Sequence, residues 1–411
     1  MNIGFDVRFL HFGLAKPASG GNVGGIGTYQ KNLIPELLRL DASHIYTLFT
    51  HRHLPLAPLQ AWLAGSLPQA DVDSRVKFLP LEREVYLPVL DKSLGRMLRR
   101  FQAVYQHNAR VNASDVHLVH LNQDQGHQWK LGGKKTVVTV YDLIGEVLGL
   151  YTATSAQRER ELIYACWRSA GAILAISEAT KRDLIDRVAI DAHRVHVTLL
   201  DTDRIVFKPR TDAEVQTLRE QLASQLPAEL PYFVHVGGIF HSKNTANLVR
   251  AFAQFKKETG SNAVFVFAGV PAKYAATELA ELRALSKSLH IENEIKLVPP
   301  LAADDLSRLY AGAIANVHPS LYEGFGLTLL EAMASGTAVI TSNAGSMPEV
   351  AGDAGVLVDP KNIADISHAM HMVSSQPDRR QAMIEKGFHQ LKRFSWEHCA
   401  RRTLDVYRSL A

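Results

Sequence analysis

The 411-residue chain is 46% hydrophobic and 21% charged, with a formal net charge of +4. This is ordinary for a folded globular protein and too apolar for disorder, and the length calls for two domains rather than one core. The longest apolar runs, such as Ala263 to Val270, are strand-sized and far short of a membrane span. Two cysteines, Cys166 and Cys399, lack metal-ligand spacing and point to a reducing cytoplasm. The mild basicity, without interleaved aromatic and basic residues on a recognisable module, argues against nucleic acid as partner.

The opening MNIGFDVRFL alternates like a first strand, Asn2–Asp6, and lacks the layout of a signal peptide. The stretch Gly20-Gly21-Asn22-Val23-Gly24-Gly25-Ile26-Gly27-Thr28-Tyr29 follows and leads into a helix over Thr28–Leu40. Such glycines let the backbone approach a ligand, and the helix start offers N–H groups to an anion, although a plain turn fits the same residues. Strands are expected next at Tyr46–Phe49, Val76–Leu79, Val116–His120, Thr136–Val140, Ala172–Ile176 and Val195–Leu199. Helices fall between them, among them Ser155–Arg168 and one capped by Ser177 that runs through Arg187. Across 92–110, Arg96, Arg99 and Arg100 interleave with Leu94, Met97, Leu98 and Phe101. A basic amphipathic helix of this kind either makes a peripheral membrane contact or packs its apolar stripe on its own domain.

From Asp201 to Pro231 the chain turns polar, with prolines at 209, 227 and 231, and PYFVHVGG then restarts the alternation. Further strands are expected at Ala263–Phe267, Ile295–Val298, Ala313–Val317, Ala338–Thr341 and Gly355–Val358. The expected division is 1–205, 206–390 and a C-terminal helix within 391–411 packing back on the first domain. Short β-branched strands alternating with helices give an α/β fold of two doubly wound domains facing a central cleft. Ligands bind such sheets outside the carboxyl ends of the strands.

Two loops there carry chemistry. Gly238, Ser242 and Lys243 follow the PYFVHV strand, and the lysine either neutralises a phosphate or is a solvated surface residue. The second loop, within HPSLYEGFGLTLLEAMASG (318–336), holds Glu323 and Glu331. Gly324-Phe325-Gly326 bends into a helix from Leu327, whose first turn presents N–H groups to an anion. Leu327 and Thr328 precede Glu331 by four and three positions, so its carboxylate shares their helix face. A buried carboxylate needs a partner, which is either a hydroxyl-rich ligand such as a ribose or an arginine or amide of the core. Glu323 either accepts sugar hydroxyls or is an exposed loop acid.

Pro319–Gly326 with Leu330–Gly336 resembles the E-x7-E signature of retaining GT-B glycosyltransferases of the family 4 (group 1) type. The likeness continues through Val339–Asn343, Pro348–Val350 and Gly355–Pro360, and Gly24–Tyr29 resembles that family's acceptor-side glycine loop. Ile176-Ser177-Glu178 and Val236–Asn244 fall on comparable motifs. The resemblance implies two Rossmann-like domains and a retaining, metal-independent hexosyltransferase without cofactor. Its donor would be a GDP- or UDP-linked sugar, mannose or glucose, and its acceptor a glycan or lipid-linked acceptor in surface polysaccharide biosynthesis. The setting would be cytoplasmic, free or peripheral at the inner membrane face.

By the same resemblance Glu331 holds the ribose, Glu323 contacts the donor sugar and Lys243 neutralises the departing diphosphate. The amides of Gly324, Phe325, Gly326, Leu327 and Thr328 hold sugar and diphosphate beside Gly238 and Ser242. Gly24, Gly25 and Gly27 form the acceptor-side loop. Three departures stand out. Tyr141-Asp142 occupies the place of a histidine-aspartate pair, with His120 and His127 in a nearby loop as stand-ins. Ser242 and Gly238 stand where an arginine often accompanies the lysine, and Pro299-Pro300 replaces a glycine loop beside the base. Rival readings are a GT-B epimerase or phosphorylase and a non-catalytic nucleotide-sugar-binding protein. No residue pattern speaks to oligomeric state.

Overall fold

A computed structural model describes residues 1–15, 24–81, 106–123, 130–226, 229–270 and 276–411. The first compact unit is Met1–Leu200 together with Ser395–Ala411, the second Asp201–Phe394. Unit one carries β1 (Asn2–Asp6), β2 (Ile45–His51), β3 (Val76–Leu81), β4 (Leu118–Asn122), β5 (Lys135–Val140), β6 (Ala172–Ala175) and β7 (Val195–Val197). These form one parallel sheet in the order β3-β2-β1-β4-β5-β6-β7. Unit two carries β8 (Tyr232–Val236), β9 (Val264–Ala268), β10 (Ile295–Val298), β11 (Ala315–His318), β12 (Ala338–Ser342) and β13 (Gly355–Val358). Their order is β10-β9-β8-β11-β12-β13, again parallel.

In each unit the chain works outward from its first strand, then returns to build the other half of the sheet. The order therefore reverses between β1 and β4 and between β8 and β11, which are the points where doubly wound sheets take ligands. Strands β1, β4, β8 and β9 are buried along their whole length. Helices cover both faces of such strands, hence their near-continuous apolar sequences. Beneath β8 and β9, Phe233 meets Phe255 edge-on at 5.3 Å and Phe252 meets Phe265 at 5.3 Å. This aromatic cluster seats the Thr245–Thr259 helix, which Gly260 ends in a left-handed turn (φ 64°).

Each expected strand is present, three of them with the expected ends and the rest displaced by at most two residues. The largest consequence is at β11, which starts at Ala315 because Ala313 still donates to the Tyr310 carbonyl of the preceding helix. His318 thereby becomes the last residue of the strand. The unit boundary falls at 200/201 rather than 205/206, and again at 394/395 rather than 390/391. Arg204 is the reason: it bonds Asp201 (2.9 Å) and the carbonyls of Leu391 and Phe394, tying both segments into unit two. The final helix, Trp396–Ser409, is capped by Ser395 and packs on the Gly24–Leu40 helix of unit one.

That Gly24–Leu40 helix corrects the expected start at Thr28. Gly24, Gly25 and Gly27 lie in its first turn, not in a loop. Most of the basic 92–110 segment, with Arg96, Arg99 and Arg100, lies outside the described residues, as do 20–23 and His127. Only 106–113 of that neighbourhood is described, as helix. Among the described residues no helix is long and apolar enough to cross a membrane.

Candidate active site

The site in unit two is a consequence of β8 and β11 being neighbours, with Val234 opposite Asn316. Loops leaving their carboxyl ends must run side by side. Leu321 N donates to the Ser242 carbonyl at 2.8 Å, joining them. Asn244 sits in the left-handed region (φ 60°), and its amide donates to the carbonyls of Pro319 (3.0 Å) and Pro360 (2.5 Å). Asparagine tolerates that backbone better than most residues. One side chain thus locks three loops.

Lys243 precedes it and is partly exposed but paired: its Nζ lies 2.6 Å from Glu323 Oε1. His318 Nε2 lies 3.1 Å from the same oxygen. Glu323 is not an exposed loop acid, being 8% accessible. Burial would raise its carboxyl, but the Lys243 ammonium and the His318 ring outweigh that and hold it well below the carboxylate range. Behind it His318 stacks on His235, rings 4.8 Å apart and 11° from parallel. His235 Nδ1 donates to the Val317 carbonyl at 3.0 Å. Burial lowers both rings, His235 to about 3, so both are neutral at physiological pH.

The backbone of Glu323 is clasped from the β12 side. Ser346 Oγ is 3.1 Å from the Glu323 carbonyl and 2.7 Å from that of Phe325. Gly345 (φ 58°) lies so close that an added Cβ would stand 2.7 Å from the Glu323 carbonyl oxygen. Gly345→Ala is therefore expected to cost about 1–3 kcal/mol of stability, since strained backbone and clash add. Chemical denaturation measures it, and a wild-type midpoint would show that the clasp is slack.

Gly326 (φ 107°) makes the bend into the Leu327–Ala334 helix, and a side chain there would meet Met347 at 2.5 Å. Phe325 is buried, packing edge-on against Phe394 at 5.9 Å, so only its backbone is available to a ligand. Glu331, on the same helix, is partly buried and, among the described residues, takes neither an arginine nor an amide. Its Oε2 accepts from the Tyr310 hydroxyl at 3.2 Å. Burial pushes the Glu331 carboxyl up to about 7, and the tyrosine opposes that only in part. The sequence held no sign of this pairing, because Tyr310 is on another helix.

Buried polar atoms without a protein hydrogen-bond partner gather at these strand ends. They include Thr245 Oγ1, Ser320 Oγ, Thr328 Oγ1 and Ser342 Oγ. Folded proteins leave few such atoms, and a cluster of them suits a surface whose hydrogen bonds are completed by a polar ligand. A Cβ at Gly238 would stand 2.3 Å from the ring of Phe240, which is itself exposed. Ser242 contributes its backbone carbonyl to the join with Leu321.

The chain matches the model for Glycosyl transferases group 1 over 218–390 and that for Glycosyltransferase Family 4 over 23–198. The chain belongs to the group 1 family of GT-B glycosyltransferases. It is 34% identical over 248 residues to O-antigen chain mannosyltransferase B of Escherichia coli, a match covering 59% of this chain. That match spans 61% of the relative's own length. Sucrose-phosphate synthase from Thermosynechococcus elongatus shares the fold at a TM-score of 0.76 and 21% identity, covering 100% of this chain and 99% of its own. Anabaena HepE in complex with UDP-glucose gives 0.73 at 16% identity, covering 100% of both chains.

In unit one, Tyr141 and Asp142 follow β5. Tyr141 donates its hydroxyl to Asn122 at 2.8 Å, and both backbone amides meet Gln123 Oε1 at 2.6 and 3.1 Å. Asp142 Oδ1 accepts from Ile144 N at 3.1 Å, starting the Ile144–Val147 turn of helix. His120 is on β4 rather than in a loop, and it is fully buried between Tyr407 (2.5 Å) and Thr139 (2.6 Å). It is a core residue and not a stand-in for the family's histidine. Among the described residues no three His, Cys, Asp or Glu side chains converge as a metal site.

Proposed function

We propose that this glycosyltransferase moves a hexose, mannose or glucose, from a GDP- or UDP-linked sugar to a glycan or lipid-linked acceptor with retention of configuration. The observation that carries it is the joining of Lys243 to Glu323 beside the Gly324–Thr328 helix start. A cation, a buried carboxylate and the first turn of a helix occupy one switch point. In this reading the diphosphate sits on the amides at the start of the Leu327–Ala334 helix, with Lys243 as counter-charge. Its ribose reaches Glu331 and its sugar reaches Glu323. Loss of the diphosphate builds negative charge on the leaving oxygen while the anomeric carbon becomes oxocarbenium-like. Stabilising that leaving charge supplies the rate without requiring a metal.

The mannosyltransferase relative and the UDP-glucose complex of the structural neighbour support a hexose and a nucleotide donor. The acceptor and a role in surface polysaccharide assembly rest on the relative's name alone. A second reading, a non-catalytic nucleotide-sugar binder, is favoured by Tyr141, whose hydroxyl proton is committed to Asn122. Incubation with UDP-glucose or GDP-mannose and a glycan acceptor separates the two. The proposal expects free nucleoside diphosphate and, by NMR, an α-linked product. Binding without release across a panel of acceptors supports the second reading, and a β-linked product contradicts retention.

A further inference from the structure

Two donors, Lys243 Nζ at 2.6 Å and His318 Nε2 at 3.1 Å, converge on one oxygen of Glu323. The other oxygen, Oε2, takes no hydrogen bond from the described residues and is the one left for a ligand. The two donors differ in kind. Lys243 ends a flexible chain and is 23% exposed, whereas the His318 side chain is 2% exposed. The His318 ring is fixed by its stack on His235. Its backbone carbonyl is held by Thr341 Oγ1 at 2.9 Å. A diphosphate brings more negative charge than one carboxylate, so a ligand on the helix start draws the lysine ammonium away from Glu323.

We infer that His318 is the positioning residue of Glu323. When Lys243 turns to the diphosphate, the His318 Nε2–H keeps the carboxylate in place with Oε2 toward the donor sugar. This rests on the proposed reading of Glu323 as the sugar-contacting carboxylate. It assigns His318 a part in handling the sugar and none in holding the nucleotide. The neutral ring suits that role, because a donor proton is needed without a second cation to compete for the diphosphate.

The test compares His318→Phe, His318→Asn and His318→Gln, with Glu323→Gln as control, using UDP, GDP, UDP-glucose and GDP-mannose. Glutamine places an N–H near the Nε2 position; asparagine is too short to reach Glu323 and covers the case in which the phenylalanine variant does not fold. His318→Phe and His318→Asn are expected to lower kcat with the accepted donor by roughly 10- to 100-fold, as misplacement of a reacting group does. Affinity for the bare nucleoside diphosphate should stay within about twofold, and His318→Gln should recover most of the rate. Wild-type kcat in the first two variants overturns the inference. So does a glutamine variant no better than asparagine, or a parallel loss of nucleotide affinity. An unaffected Glu323→Gln enzyme would instead overturn the underlying reading of Glu323.

Discussion

Replacing Glu331 by glutamine is expected to weaken nucleoside diphosphate binding by roughly 30- to 150-fold while making the free protein more stable above neutral pH. The first effect follows from losing charge-assisted hydrogen bonds to ribose hydroxyls, together worth about 2–3 kcal/mol. The second follows from proton linkage. Burial raises the Glu331 carboxyl from 4.5 to about 7. The folded state therefore holds a proton that the unfolded state has released, and this contribution, complete below the unfolded pKa, is lost as pH rises through the folded one. At pH 8 wild type keeps a costly carboxylate that glutamine does not. The stabilisation should be about 1–3 kcal/mol at pH 8 and near zero at pH 4. Titration calorimetry and denaturation at the two pH values measure the pair of effects. Unchanged nucleotide affinity would remove Glu331 from the donor site, and equal stability at both pH values would remove the buried charge.

Lys243→Met should reduce transfer by about 10²–10³-fold, the usual effect of deleting one group that stabilises transition-state charge. It should also destabilise the free protein, because it strands Glu323 with only the His318 ring beside it. Glu323 is held well below the usual carboxylate range, so its contribution is present above the unfolded pKa and lost as pH falls through the folded one. The loss in Lys243→Met is expected to be about 2–3 kcal/mol at neutral pH, somewhat under the figure for a fully buried pair because the lysine is 23% exposed. Adding Glu323→Gln should restore stability without restoring transfer. Stability unaffected by the single change would show the ion pair to be incidental; a wild-type rate would exclude Lys243 from leaving-group stabilisation.

Local sequence signals carry the fold well here. Parallel strands covered on both faces are short, apolar and β-branched, and such runs are readable without tertiary context. The Ser177 cap is equally local, its side chain accepting from Thr180 N three residues on. The start of the Gly24–Leu40 helix was hidden because glycine disfavours helix and only tertiary packing overrides that. The unit boundary depends on Arg204 reaching carbonyls at 391 and 394, contacts with no local trace.

In the site, the glycine bend and the two glutamates were visible as a motif, but their partners were not. Lys243 and Glu323 are 80 residues apart, and Tyr310 and Glu331 are 21 residues apart on different helices. Strand order brings them together, and strand order is a property of the whole sheet. His120 misled for the complementary reason. It ends a β-pattern and so looks like a loop residue, yet β4 continues two residues further and Tyr407 closes over it from the last helix.

The central claim is that the β8–β11 switch point binds a nucleoside diphosphate through Glu331. The most direct test is thermal unfolding of wild type and Glu331→Ala with GDP, UDP, ADP and dTDP and their sugar conjugates. A ligand at about 100 times its Kd stabilises a fold by roughly 2.7 kcal/mol. The account predicts such a shift in wild type with one base and its sugar conjugate, greatly reduced in Glu331→Ala. No shift with any of them, or an undiminished shift in the variant, would contradict it.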